Sequence, residues 1–376
     1  MANSISTAPL AALIQRDLPG AELLDIEAMP GGMSPRRFFR VRLAAAAAGS
    51  PTSIVGLFTP NAQKSDEATH HDTEQRDWPF LEVHHLLWQA GVRVPHIYGV
   101  DRDTGWMLVE DLGDLTLAQA LLIKPEDKEG LYQIAVADLA RAHAALRRAP
   151  IDSIVRTRRF DHALLRWEIE HFREYALLAR GFQLSADQSE RYTRLADALA
   201  SYVANLPTGF VHRDYQSRNL MWLPSSAASY TPPPAHRLTT TSVTSALRAS
   251  GELVWLDFQD ALTGPRIYDL VSLLNDSYQT FSREFVEARL TEYAALRNEP
   301  DLSSARATFE FDVVTVQRKL KDAGRFVYFH VKNGDPSYLG FVDPTVAKVK
   351  ASLARLESVL LFREWAQLLD ELLPGV

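Results

Sequence analysis

The sequence of 376 residues predicts an α+β chain of two lobes, a small β-rich lobe over 1–112 and a larger, mostly helical lobe over 113–376. Three observations carry this reading. Short apolar runs broken by Gly, Pro and Ser fill the first 112 residues, and apolar residues spaced by three and four dominate the remainder of the chain. Two polar segments, FVHRDYQSRNL at Phe210–Leu220 and LVWLDFQDALTGPRIYDL at Leu253–Leu270, interrupt that helical pattern with carboxylates and amides.

The first strands are Phe38–Leu43 and Ser53–Phe58. Between them, Ala44 to Ala48 followed by Gly-Ser-Pro fits a hairpin loop or a short helical piece. Phe80, Val83, Leu86 and Leu87 recur at helical spacing, so Pro79–Ala90 reads as the helix beside the small sheet. Val94 through Val109 supplies two strands around the turn Asp101–Gly105 and leads into Glu110-Asp111-Leu112-Gly113, the expected hinge, where Glu110 and Leu112 are candidate nucleotide contacts. Beyond it, Leu131, Ile134, Ala135, Leu139, Ala142 and Leu146 make one apolar helical face, with Tyr192, Leu195, Ala196, Leu199, Val203 and Leu206 a second. His143 on the first face reads as a core histidine with satisfied nitrogens. The Ser-, Thr-, Ala- and Pro-rich stretch 225–250, with Pro232-Pro233-Pro234, reads as a flexible insertion at the tip of a hairpin formed by the apolar runs on either side.

Composition excludes several classes of function. Forty Lys plus Arg against 47 Asp plus Glu leave a net charge of −7, which gives no electrostatic reason to expect nucleic acid or an anionic membrane as partner. The absence of cysteine removes disulfides, thiolate zinc sites and cysteine nucleophiles together. The N-terminal residues lack a charged and then apolar leader, and no stretch has the length of a membrane span, so the expectation is a cytoplasmic protein with ATP at hand.

The chemistry lies in three side chains. Asp214 can orient a substrate hydroxyl and accept its proton, while Asn219, five residues on, and Asp257, at the end of an apolar run, offer the oxygen ligands that Mg²⁺ prefers. Together these are the requirements of phosphoryl transfer from a nucleotide. Asp260 is a candidate auxiliary contact to metal or substrate. At the phosphate end, Gly31-Gly32-Met33-Ser34-Pro35-Arg36-Arg37 is neither a Walker A motif nor a full GxGxxG. Two readings fit it: the N–H groups of Gly31, Gly32 and Ser34 line the phosphates with Arg36 or Arg37 supplying charge, or the paired arginines form a solvated turn.

These segments resemble the aminoglycoside-phosphotransferase and choline-kinase branch of the protein-kinase-like fold. A protein kinase would show Asp-Phe-Gly where this chain has Asp257-Phe258-Gln259-Asp260. Within that branch the sequence is most similar to bacterial anomeric N-acetylmuramate/N-acetylglucosamine kinases of cell-wall recycling, a likeness that extends to WMLVEDLGD at Trp106–Asp114 and QRKLKDAGRFVYFHVKNGDPSYL at Gln317–Leu339. The resemblance implies ATP and Mg²⁺ as cofactors and a small-molecule sugar as substrate, and leaves the oligomeric state open. It also implies that His212 and Asp269 support the catalytic loop, and that Glu168, Tyr175, Arg318, Lys321 and Arg325 wall the acceptor site. One departure stands out: Ser53–Phe58 carries no lysine where such folds place a phosphate-binding one, and an arginine of the Arg36–Arg40 group is the expected substitute. The rival readings are an aminoglycoside or other small-alcohol phosphotransferase, and a nucleotide-binding pseudokinase scaffold.

Overall fold

A computed structural model describes residues 5–30, 36–44, 50–60, 78–225 and 251–376. The chain divides into two compact units, one of Met1–Ala68, Asp72–Ile134 and Ser217–Asp260, the other of Thr69–His71, Ala135–Gln216 and Ala261–Val376. The first unit thus takes in 113–134 and 217–260 as well as most of the 1–112 lobe.

In the first unit, β1 (Glu22–Ala28), β2 (Arg37–Ala44), β3 (Ser53–Phe58), β4 (Ile97–Asp101) and β5 (Trp106–Glu110) form one antiparallel sheet in the order β1-β2-β3-β5-β4. Strand alternation sorts its residues onto two apolar faces. Ile54, Trp106 and Leu108 pack with Val41 and Leu43 against Leu10, Leu13 and Ile14 of the helix Ala8–Asp17. Val55, Leu57, Met107 and Val109 face the other way, onto Trp78 and Phe80 at the start of the helix Pro79–Gln89. Gly56 leaves room for Leu10 on the first face: a Cβ there would lie 2.8 Å from a Leu10 methyl, which would have to shift.

The helix Ala8–Asp17 and strand β1 are not among the elements read from the sequence. The reason is visible in β1, where nearly every residue is exposed, so no apolar alternation marks this edge strand. The predicted strands Phe38–Leu43 and Ser53–Phe58 and the helix Pro79–Ala90 correspond to β2, β3 and Pro79–Gln89.

The second unit holds β6 (Thr208–Val211), which pairs with β9 (Leu262–Pro265). In the first unit, β7 (Leu220–Pro224) pairs with β8 (Gly251–Trp255) as the expected hairpin. The flanking ends meet at Pro224 and Gly251; residues 226–250 of the predicted insertion lie outside the described residues. The hairpin is fastened within its unit by Trp222 N–H to Leu115 O at 2.8 Å and Trp255 N–H to Arg93 O at 2.9 Å.

Helices make up most of the second unit. The longest, Ser304–Asn333, starts at Ser303, whose hydroxyl accepts from Arg306 N–H, and stops at the left-handed Gly334. Its middle is buried on all sides, including the charged Arg318, Lys319 and Lys321. Gly324 allows this helix to cross the His171–Phe172 backbone, since a Cβ would lie 2.3 Å from His171 O. There the helix His162–His171 runs into a π-helical segment, Phe172–Leu177.

Candidate active site

The loop after β6 is built around a fully buried carboxylate. Asp269, in the helix Tyr268–Leu274, accepts the backbone N–H of His212 at 2.7 Å and of Arg213 at 3.0 Å, and His143 Nε2 lies 3.4 Å away. His143 donates or accepts through its other nitrogen at Tyr293 Oη, 2.7 Å away, and burial pushes its pKa below the ordinary histidine value against the pull of Asp269. It is therefore the satisfied core histidine that the sequence suggests. His212 is wholly buried beside the Tyr215 ring, and Tyr215 Oη donates to Ala135 O at 2.9 Å.

Arg213 adopts φ +82°, in the left-handed region that non-glycine residues rarely occupy. Its guanidinium is buried and reaches Glu168 Oε1 at 3.0 Å, while Glu168 Oε2 accepts from Gln317 at 2.8 Å. The next residue, Asp214, leaves 35% of its side chain exposed and pairs through Oδ1 with Arg318 Nη2 at 3.2 Å. Arg318 also donates to Arg213 O at 2.8 Å and lies over the Tyr268 ring, 4.8 Å from its centroid. Burial opposes its charge, but Tyr268, Asp322 and Asp214 drive its pKa well above the ordinary guanidinium value.

These contacts change the picture of the acceptor wall. Glu168 does not present a carboxylate to a ligand: it is buried, and both oxygens are taken by the loop arginine and Gln317. Arg318 and Lys321 are buried as well, with the Lys321 ammonium 3.7 Å from Asp322. Of the five wall residues, Tyr175 and Arg325 keep partial exposure; Tyr175 meets the Tyr328 ring edge-on at 5.1 Å, and Arg325 lies 5.4 Å from the Phe329 centroid.

In the first unit a second cluster forms around Asp257, which also has positive φ, +59°. Its side chain is 40% exposed, and Oδ1 accepts from Arg36 Nη2 at 2.8 Å and from Gln259 Nε2 at 3.1 Å. Arg36 Nη1 is bonded in turn to Gln259 Oε1 at 2.8 Å, and Gln259 Nε2 to Asp260 Oδ2 at 3.0 Å. The Asn219 amide lies 3.5 Å from Asp257 Oδ2, so the two proposed metal ligands converge on one point. A carboxylate and an amide there match the oxygen preference of Mg²⁺. Among the described residues no group of three or more acidic or histidine side chains forms a further metal cluster.

Two arginines of this unit are committed elsewhere. Arg40 is held by Asp111 at 2.9 Å and Asp114 at 2.8 Å, and Arg93 by Glu110 at 2.6 Å and Glu252 at 3.2 Å. The Glu110 carboxylate is thus occupied by Arg93 and by His96 N–H, and its own N–H donates to His96 O at 2.8 Å. Arg37 is exposed and donates to Arg36 O at 3.0 Å. Leu112 packs with Leu256 against Met221, Leu223 and Val254, an apolar floor suited to a flat ring. Gly31, Gly32 and Ser34 lie outside the described residues. Gln259 and Gln317 are not among the candidates read from the sequence, because a glutamine becomes one only once its neighbours in space are known.

A five-stranded sheet, a hairpin ending in an aspartate and a helical unit bracing a His-Arg-Asp loop are the parts of a protein-kinase-like phosphotransferase. The GDP complex of aminoglycoside 2'-phosphotransferase-IIIa matches with a TM-score of 0.52 over 93% of this chain and 99% of that one, at 13% identity. An ethanolamine kinase from Plasmodium vivax matches with a TM-score of 0.51 over 93% and 85%, at 11% identity. Such distant likenesses speak for the fold alone. The chain belongs to the phosphotransferase enzyme family, which it matches over residues 25–228 and 250–307. An N-acetylmuramate/N-acetylglucosamine kinase from Pseudomonas putida is 31% identical over 303 residues, 79% of this chain and 78% of the relative. The protein of that description from Pseudomonas aeruginosa is 29% identical over 347 residues, 90% and 86% of the two chains. Among the described residues no helix is long and apolar enough to cross a membrane.

Proposed function

We propose that this protein transfers the γ-phosphate of ATP, with Mg²⁺, to the anomeric hydroxyl of N-acetylmuramate or N-acetylglucosamine. The observation that carries the reading is the pair of relatives named as N-acetylmuramate/N-acetylglucosamine kinases, which align over 79% and 90% of the chain. Asp214 orients the sugar hydroxyl and accepts its proton late, since a loose transition state places most of the demand on alignment. Asp257 and Asn219 hold the metal, whose chemistry is to neutralise charge on the phosphates.

Arg36 supplies the phosphate-side cation that β3 lacks. Its guanidinium already lies at Asp257, whereas Arg40 and Arg93 are bound to carboxylates of the sheet region. Leu112 and the hairpin provide the apolar floor for the base, with main-chain atoms of Glu110 beside it. Tyr175 and Arg325 are the acceptor contacts that remain at the surface. We place the reaction in the cytoplasm, where ATP is available.

The test is to incubate the protein with Mg-ATP and, separately, N-acetylglucosamine, N-acetylmuramate, glucose, kanamycin and choline. Turnover with the two N-acetylated amino sugars is expected. Turnover with kanamycin or choline alone would overturn the assignment.

A further inference from the structure

The segment QRKLKDAGRF, distinctive in the sequence, braces the catalytic loop through its first two side chains, Gln317 by way of Glu168 and Arg318 directly. Glu168 in turn holds Arg213, and Arg318 holds Asp214. Two consecutive residues of one helix therefore brace two consecutive residues of the loop. We propose that Arg318 is a positioning residue that fixes the carboxylate of Asp214 for in-line attack and does not bind the acceptor.

Four features support this. Arg318 is 3% exposed, so it presents almost no surface to a ligand. It makes two bonds to the loop, at 2.8 Å to Arg213 O and 3.2 Å to Asp214 Oδ1. Its plane is backed by the Tyr268 ring at 4.8 Å, and Tyr268 adjoins Asp269, the residue that receives the N–H groups of His212 and Arg213. The left-handed turn at Arg213 is thus gripped from both sides, its N–H by Asp269 and its carbonyl by Arg318. A residue with positive φ stores strain that neighbours must hold, and here the holders also set the direction in which Asp214 points.

A planar guanidinium making two divergent bonds is not replaceable by a lysine, which offers the charge without the fork. A loss of about 1 Å in the placement of a reacting group lowers turnover roughly 100-fold. Arg318→Met is therefore expected to reduce kcat about 100-fold and Arg318→Lys about tenfold, with the binding of the sugar unchanged within about twofold.

The inference rests on the kinase reading, and the experiment separates the two. Steady-state kcat is measured for both variants, and sugar affinity by calorimetry with a non-hydrolysable ATP analogue present, using whichever acceptor the wild-type protein turns over. Circular dichroism melts accompany both, and if Arg318→Met does not fold, Arg318→Lys alone carries the comparison. A fall in kcat at constant sugar affinity supports positioning. A loss of sugar affinity equal to the loss in kcat/KM would make Arg318 an acceptor contact, and kcat within about threefold of wild type in the folded variants would show that Asp214 needs no brace. Failure of the amino-sugar assignment shows separately, as wild-type turnover of a different acceptor.

Discussion

Asp214 and Asp257 expose similar fractions of their side chains, 35% and 40%, yet they are held in different ways. The Asp214 loop is gripped by buried groups from three helices: Asp269 on its main chain, Glu168 on the Arg213 guanidinium, and Arg318 on the carboxylate itself. Asp257 is held through its own carboxylate, by Gln259 two residues on, by the Asn219 amide and by Arg36. The difference fits the two tasks proposed for them. A group that aligns a nucleophile needs a fixed direction, whereas a metal ligand needs a carboxylate that can exchange a guanidinium for a cation.

The sharpest way to break this comparison is to remove each aspartate. Asp214→Ala is expected to lower kcat by about 10³-fold while leaving ATP affinity within about tenfold, read from steady-state rates and calorimetry. Retained turnover would remove Asp214 from the chemistry.

Stability separates the two regions next. Asp269→Ala strips buried N–H groups of their acceptor, so a loss of about 3 kcal/mol in urea unfolding is expected. Asp257→Ala should change stability by less than about 1 kcal/mol, since its carboxylate is partly solvated, while abolishing the Mg²⁺ dependence of nucleotide binding. Equal destabilisation by both would mean that the two loops are held alike.

Arg36→Met tests the first unit more finely. Losing a charge-assisted contact to phosphate is expected to weaken ATP binding roughly tenfold, about 1.4 kcal/mol, with kcat at saturating ATP little changed. An unaltered affinity would leave the missing β3 lysine without a substitute at this position.

The motifs are legible because the loops that carry the chemistry hold their residues within a short span of chain: HRD, Asn219 and the DFQD turn are readable in a line. Strands β2 and β3 and the helix Pro79–Gln89 are legible through their apolar spacing. Long-range features stay hidden. The charged run Arg318-Lys319-Leu320-Lys321 looks like a solvated helix face, and its burial comes only from packing between helices that no local pattern records. Glu168 likewise looks available until Arg213, 45 residues away, closes on it. The strain at Arg213 and Asp257 has no sequence mark, since neither residue type announces positive φ.

The smallest effect concerns the hairpin. Because Pro224 and Gly251 are already paired, replacing residues 225–250 by Asn-Gly closes β7 and β8 with a two-residue turn. Activity within about threefold of wild type and a stability change below about 1 kcal/mol are expected from activity assays and thermal melts. Loss of the fold would show that those residues contribute structure.

The central claim, transfer to an anomeric hydroxyl, is tested most directly with a blocked sugar. N-acetylglucosamine and its methyl glycoside are each incubated with the protein and Mg-ATP, and the products followed by ³¹P NMR. The free sugar is expected to give a phosphate on the anomeric carbon and the methyl glycoside none, because the oxygen that Asp214 would align carries a methyl group. Phosphorylation of the methyl glycoside at a rate comparable to the free sugar would contradict the claim and direct transfer to another hydroxyl.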